Sequence, residues 1–257
     1  MIGGGLGSYI GKFHRWGAML DDSAELVCGC FSRSMDRNRA TAEAYHLPDT
    51  NRVYADFREM ADKESARDDG IDFVSIMTAN DTHYEIAKCF LEHGIHVICD
   101  KPLALRTAEA EELARIAEER GLLFGITYSY TGYALIRQAR EMIRVIGTEG
   151  SLEWTATDCD HLIYTPRSQP SQRLSAGADY LLDASTRLSR VAAGHNEGFI
   201  EAFSNIYRSF CNVLSDRKAG RENTTDTFPT VEDGVFGVRF VEACVRSHTA
   251  GGVWIDV

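Results

Sequence analysis

The sequence predicts an α/β protein: a doubly wound parallel sheet followed by a reduced α+β C-terminal part. Three observations predict it. The chain opens on two apolar residues and a glycine run, Met1-Ile2-Gly3-Gly4-Gly5-Leu6-Gly7. Short apolar runs then alternate with segments of helical periodicity as far as residue 127, the pattern of parallel strands joined by crossover helices. After Tyr128 the alternation gives way to a hairpin and a few long helices. The expected division is a sheet domain over 1–127 and a smaller domain over 128–257.

The glycines at 3, 4 and 5, with small residues as far as Gly11, read as strand end, tight turn and helix start. Without a Cβ, backbone N–H groups in such a turn can approach a phosphate, and the following helix adds the partial positive charge of its N-terminus. The spacing is Gly3-x-Gly5-x-x-Ser8, a dinucleotide fingerprint with Ser8 where Gly or Ala is preferred. The same residues also make a plain glycine-rich turn. A helix over roughly 8–20 and a buried strand at Glu25–Phe31 complete a βαβ unit of about the usual ~30 residues. Where an Asp or Glu would hold the ribose of NAD, the chain has Ser32-Arg33. A hydroxyl and a guanidinium suit the 2′-phosphate of NADP, a slight lean within a general NAD(P) expectation.

Ser34 is the expected N-cap of a helix over 35–45, with Pro48 beyond its end. Val53-Tyr54 reads as a short strand, Asp56 as the cap of a helix to about Ala66, and Asp68-Asp69-Gly70 as a turn. Ile71–Met77 is a buried strand; a helix from about Thr82 to His93 follows, closed by Gly94. Ile95–Cys99 is the next strand. Thr107 is the expected cap of a helix through Arg120, whose first turn carries Glu109, Glu111 and Glu112, the sign the helix dipole favours. Leu122–Thr127 is a further strand. Ligands of such sheets sit beyond the C-terminal ends of the strands. That singles out Gly3, Gly5, Leu6 and Gly7; Ser32 and Arg33; Thr78, Asn80 and His83; Asp100, Lys101 and Pro102; and Thr127 to Tyr130.

In the second half, Tyr128–Ile143 reads as a helix with its entry loop, Gly147–Gly150 as a turn, and Ser151–Ala156 with Leu162–Tyr164 as a hairpin. Residues 165–195, poor in large apolar groups, read as a long loop. Phe199, Phe203, Ile206, Phe210 and Val213 recur at helical spacing. A last helix, Val231–His248 after Pro229, is expected to turn Phe236, Phe240 and Val241 inward, and Val253-Trp254-Ile255 to form a closing strand.

At 257 residues, 44% hydrophobic and 25% charged, the chain can bury a proper core. A net charge of −11 argues against nucleic acid or an anionic membrane as partner. Seven scattered cysteines include no C-x-x-C pair, so neither a zinc ribbon nor a dithiol redox site, nor any metal site, is expected. A charged leader with an apolar core is missing, and no apolar run approaches ~18 residues, which reads as a cytoplasmic protein.

Asp100-Lys101-Pro102 at the end of a strand, downstream of the glycine turn, carries a resemblance. The chain resembles the glucose–fructose oxidoreductase / inositol dehydrogenase / MocA-type (Gfo/Idh/MocA) family of NAD(P)-dependent oxidoreductases. The likeness runs through Gly3-Gly4-Gly5 with Gly11 and His14-Arg15, through Asn80 and His83, and through Val97 to Leu103. It continues in Tyr130 to Tyr133, Arg137 to Arg140, Gly147 to Trp154, Gly194 to Phe210 and Pro229 to Gly234. The resemblance implies a Rossmann sheet and hydride transfer between NAD(P) and a secondary alcohol of a sugar, inositol or related polyol. It implies that Lys101 reaches the substrate beside the nicotinamide, donating a hydrogen bond to its oxygen or relaying its proton, and that Asn80 and His83 line that pocket. Asp100 is expected to hydrogen-bond locally or near the nicotinamide ribose. Tyr128, Tyr130 and Tyr133 stand where they could line the substrate side or simply pack, and a homo-oligomer is possible.

Two departures qualify the resemblance. Only Met1 and Ile2 precede the glycines, against ~5–6 residues for an ordinary strand, so the start reads as clipped. Arg140–Arg144 passes almost at once into Val145–Gly150, where the family has a stretch comparable to a small domain. That stretch brings a Gly-Asp-x-Gly-x-His-type motif whose Asp and His, by the resemblance, bind substrate and move its proton. Asp158-Cys159-Asp160-His161 has the wrong spacing to replace it. The expected function is an NAD(P)-dependent dehydrogenase. The alternatives are a shortened, catalytically inactive relative acting as a dinucleotide-binding or dimerising module, and an incomplete copy of a longer chain.

Overall fold

A computed structural model describes residues 1–136, 148–155 and 157–257. They form two compact units, one of 1–15, 24–127 and 229–257, the other of 16–23 and 128–228. In the first unit four parallel strands lie side by side in the order β1 (Ile2–Gly3), β2 (Phe73–Met77), β3 (His96–Cys99), β4 (Phe124–Ile126). Ile2 pairs with Ile76, Ile76 with Cys99, and Cys99 with Ile126, so the C-terminal ends of all four strands share one edge. Val74, Ile76, Val97, Ile98, Cys99 and Ile126 are all buried, the continuous apolar reading of parallel strands. Each large one contributes roughly 1.5–3 kcal/mol by leaving water.

Beyond β1 the sheet continues only as single bridges, Ile2 to Cys30 and Gly29 to Val53. The expected strands at Glu25–Phe31 and Val53-Tyr54 are therefore shorter than their apolar runs. Cys28, Cys30, Phe31 and Val53 are nonetheless buried, and Phe31 and Val53 pack with Met1, Ala42, Leu47 and Met77.

The helices between strands are α1 (Tyr9–Met19), α2 (Met35–Ala44), α3 (Phe57–Ser65), α4 (His83–Glu92) and α5 (Thr107–Glu119). Ser34 caps α2 by accepting from Arg37 N, and Asp56 caps α3 by accepting from Arg58 N, each satisfying a first-turn donor. Helix α4 buries Ile86, Ala87, Phe90 and Leu91 at helical spacing. It ends at Gly94, whose φ of +77° a side chain would resist.

In the second unit a 3₁₀ turn over Ser129–Gly132 precedes an antiparallel sheet of β5 (Gly150–Thr155), β6 (Asp158–Pro166) and β7 (Gln172–Ser175). Leu152 faces Tyr164 and Leu162 faces Leu174 across it. Leu135, Leu162, Ala176, Ala178 and Leu181 form its core, with Leu152, Trp154 and Leu174 packed against them. The expected long loop over 165–195 is corrected here. It holds β7, the one-turn helix α6 (Asp183–Thr186) and buried Ala176, Ala178, Leu181 and Ser185; small residues fill this core without looking apolar in sequence. Helix α7 (Phe199–Lys218) buries Phe203, Ile206, Tyr207, Phe210 and Leu214. Asp21 accepts from Arg190 Nε at 3.0 Å and from Ser204 Oγ at 2.8 Å. The expected helix beyond Ile136, the Arg137–Arg140 likeness, the Arg140–Ile146 junction, Gly147 and Ala156 lie outside the described residues.

The last helix, α8 (Val231–Thr249), returns to the first unit. Its packed face is Val231, Gly234, Val235, Val238 and Ala243, while Phe236, Phe240 and Val241 are exposed, the reverse of the expectation. Small residues win that face because the backbone comes close. A Cβ on Gly234 would stand 2.7 Å from Leu103 Cδ2. Thr107 is also corrected: it is the first residue of α5, Arg106 holds the cap position, and Thr107 N and Oγ1 both donate to Glu242 of α8. The residues at 253–255 form no strand. Among the described residues no helix is long and apolar enough to cross a membrane.

Candidate functional site

Gly3 and Gly4 leave β1 with φ of +75° and +71°, a region side chains rarely enter. A Cβ on Gly3 would lie 2.7 Å from Met77 O, and one on Gly11 would lie 2.4 Å from Gly4 Cα and O. Helix α1 thus sits directly on the peptide backbone of the turn. Ser8 Oγ accepts from Gly11 N at 3.1 Å, so the departure from the fingerprint serves as the N-cap of α1. Tyr45 Oη donates to Gly4 O at 3.0 Å and fixes the turn from α2.

A groove of about 380 Å³ opens over this turn, lined by Gly4, Gly5, Leu6, Gly7, Ser8, Phe31, Ser32, Arg37 and Thr41. Of the residues selected from sequence, Gly5, Leu6, Gly7 and Ser32 line it. Gly3 lies beneath, its backbone beside Thr78 Cγ2. Arg33 is exposed and does not line the groove; Arg37, one turn further on, does. Arg37 and Thr41 lie past the strand end, inside α2, where the rule for strand ends does not reach. The signal was Ser34, because a cap there puts Arg37 in the first turn of α2, next to the strand end. Thr41 Oγ1 accepts from Leu6 N at 3.3 Å and donates to Arg37 O at 2.7 Å.

Thr78, Asn80, His83, Asp100, Lys101 and Pro102 gather at the same edge of the sheet, beyond β2 and β3. His83 is fully buried, its Nδ1 2.7 Å from Pro102 O and its Nε2 3.2 Å from Thr78 O. It clips the two strand exits together instead of lining an open pocket. Asp100 accepts from Thr127 Oγ1 at 2.7 Å, and His14 Nε2 stands 3.9 Å away, at ion-pair range. Burial pushes the Asp100 carboxyl up, but His14 and Thr127 outweigh it and hold the group below the usual carboxylate range. His14 is buried in turn, with Nδ1 3.2 Å from Ser75 Oγ. Lys101 and Asn80 are exposed, and the Lys101–Pro102 peptide is cis.

Tyr128 and Tyr130 belong to the second unit. Tyr128 O accepts from Thr131 Oγ1, and Tyr130 stacks on Tyr133 with Trp154 edge-on. In the same unit Asp158 and His161 pair with each other and with Arg173, and Asp160 accepts from Glu197 N. Among the described residues no group of three or more His, Cys, Asp or Glu could hold a metal ion.

Residues 1–128 match the Gfo/Idh/MocA oxidoreductase family's NAD-binding Rossmann fold, and residues 118–257 match its C-terminal alpha/beta domain. The uncharacterized oxidoreductase YfiI of Bacillus subtilis is 26% identical, covering 100% of this chain and 95% of its own length. That alignment runs over 376 positions against the 257 residues here, so roughly a third of it faces no residue of this chain. The scyllo-inositol 2-dehydrogenase (NADP(+)) IolU of Bacillus subtilis is 30% identical over 51% of this chain and 37% of its own. The solved structure of an inositol dehydrogenase homolog of Azotobacter vinelandii, complexed with NADH and myo-inositol, superposes with a TM-score of 0.94. It is 29% identical and covers 100% of this chain and 96% of that one. The parallel sheet, the glycine turn and both family matches agree: the chain belongs to the Gfo/Idh/MocA family of oxidoreductases, with an NAD-binding Rossmann fold at its N-terminal end.

Proposed function

We propose that the chain transfers hydride between NAD(P) and a secondary alcohol of a sugar, inositol or related polyol. The observation that carries this reading is the groove over Gly4–Ser8, at the sheet edge where β3 ends in Asp100-Lys101-Pro102. The residues present fit a dinucleotide. The turn brings bare peptide backbone to the groove, the N-terminus of α1 adds partial positive charge, and the volume falls within the range of small-molecule sites. Gly5, Leu6, Gly7 and Ser8 would hold the pyrophosphate. Ser32 and Arg37 would hold the adenosine ribose, and the guanidinium supports the lean toward NADP.

A bound nicotinamide supplies the hydride acceptor. Lys101 Nζ, exposed to solvent, donates a hydrogen bond to the substrate oxygen and stabilises the negative charge that grows there as the hydroxyl proton passes to solvent water. Asp100, held by Thr127 and His14, and His83, bonded to Pro102 O, fix the root of the segment from which Lys101 projects. The relatives whose printed names include inositol support the substrate class.

A second reading has its own observation. The sequence lacks a Gly-Asp-x-Gly-x-His-type segment, and roughly a third of the alignment to the B. subtilis relative faces no residue here. On that reading the chain binds a dinucleotide without turnover. A panel of inositols, aldoses and anhydro-sugars, followed at the nicotinamide absorbance with NAD and NADP, separates the two. Turnover that falls at least ~100-fold in Lys101→Met establishes the enzyme; binding with no turnover on any substrate establishes the module.

A further inference from the structure

We infer that His14 is a positioning residue that ties the dinucleotide turn to Lys101, so that a pyrophosphate seated on the turn also steadies the lysine. The tie presupposes the nucleotide site proposed above and is independent of turnover.

Helix α1 touches both parts of that site with one face. A Cβ on Gly11 would stand 2.4 Å from Gly4 Cα and O, so helix and turn move together. His14, three residues on, lies on the same face and is 1% exposed. Its Nδ1 is 3.2 Å from Ser75 Oγ on β2, and its Nε2 is 3.9 Å from Asp100 Oδ1, just past the end of β3. Thr127 Oγ1, just past the end of β4, donates to that same oxygen at 2.7 Å. The Lys101 amide also donates to the Asp100 carboxylate, and Asp100 N donates to Ile76 O at 2.8 Å. A line of contacts thus runs from the turn through Gly11, His14 and Asp100 to the backbone of Lys101.

The line is set in apolar surroundings. Along the strands its neighbours Val74, Ile76, Ile98, Cys99 and Ile126 are buried. A leucine at position 14 would pack α1 on β2 with no polar atom to satisfy, and a buried polar group costs free energy unless it is bonded. Packing alone therefore does not account for an imidazole here. A satisfied polar chain in such a place makes a rigid and specific connection. A ligand that orders α1 then orders what α1 holds, and hydride transfer needs nucleotide and lysine in fixed register.

Hydrogen exchange of the full chain with ADP reads the tie. ADP carries the pyrophosphate without the nicotinamide, so any effect at Lys101 has to travel through the protein. Saturating ADP should slow exchange at least ~threefold in peptides spanning residues 4–11 and in those spanning 97–106. His14→Leu should keep the first response and lose the second. His14→Gln, whose amide nitrogen stands close to the place of Nε2, should recover it. A second variant decides the matter even if His14→Leu fails to fold. Asp100→Asn still accepts from Thr127 but loses its charge, which by Coulomb's law alone should tighten ADP. Loss of the tie has the opposite sign: ADP should bind at least ~fivefold more weakly, with far-UV circular dichroism unchanged.

Slowing at 4–11 without slowing at 97–106 in the wild type overturns the inference and leaves the nucleotide site standing. So does a folded His14→Leu protein that still transmits, a His14→Gln protein no better than His14→Leu, or ADP bound as tightly or more tightly by Asp100→Asn. Slowing at neither segment overturns the site and the tie together.

Discussion

His83 Nδ1 lies 2.7 Å from the carbonyl oxygen of Pro102, and the same ring reaches Thr78 O with its other nitrogen. One buried imidazole therefore joins the exits of β2 and β3 on either side of Lys101. His83→Ala leaves two carbonyls without their partner. The expected cost is about 2–3 kcal/mol, read from the urea midpoint at unchanged m. A loss below about 0.5 kcal/mol would show that the clip does not hold the edge together.

The glycine turn gives a steric prediction. Gly11→Ala puts a Cβ 2.4 Å from the Gly4 backbone, so α1 must move off the turn. Affinity for NADPH, measured by fluorescence titration, should fall at least ~tenfold. Gly7→Ala meets no protein atom within 4 Å and costs the fold only the strain of its φ of +84°. Its urea midpoint should therefore lie above that of Gly11→Ala.

Arg37 and Arg33 separate by position. Arg37 lines the groove beside Ser32, and Arg33 does not. Arg37→Ala should weaken NADPH by about 10–100-fold, the worth of a charge-assisted hydrogen bond, and NADH much less. Arg33→Ala should leave the ratio of the two affinities near that of the wild type. Paired titrations with both dinucleotides test this, and equal losses for NADH and NADPH in Arg37→Ala would remove the case for NADP.

Acid stability should depend on Glu64. This buried carboxylate is bonded by Arg52, through Nε at 3.2 Å, and by Tyr54 Oη at 2.6 Å. Burial pushes its carboxyl up, but the hydrogen bonds from Arg52 and Tyr54 outweigh it, and the folded value lies below the ordinary 4.5. The sign follows by linkage. The stabilisation is complete above 4.5, where the unfolded group is ionised too, and is lost as pH falls through the folded value. Glu64→Gln should flatten that acid limb of the unfolding midpoint against pH and lower stability at neutral pH, since it leaves Arg52 short of its buried partner.

The parallel alternation was legible because each strand of the first unit is a continuous apolar run and each helix carries a cap or a stop, as at Ser34, Asp56 and Gly94. The edge that holds Asp100 and Lys101 followed from the topology alone. The packed face of α8 did not, since it has apolar residues on two sides and periodicity ranks them by size. The close approach at Gly234 selects the smaller set, and Phe236, Phe240 and Val241 are left outside. Thr107 misleads for a different reason: its hydroxyl has a partner 135 positions away, Glu242, which no local pattern reveals. The core around Ala176, Ala178 and Leu181 is hidden because alanine in a polar stretch looks like loop. Arg37 is not marked by the strand end because it lies one helical turn beyond it, inside α2.

The most direct test is hydrogen exchange by mass spectrometry on the intact chain, with and without saturating NADPH. Added NADPH should slow exchange in peptides spanning Gly4–Gly11 and Ser32–Thr41, the segments that supply the lining of the groove proposed to hold the nucleotide. NADPH that binds, yet leaves both segments exchanging at their free rates, would put the nucleotide elsewhere and contradict the site.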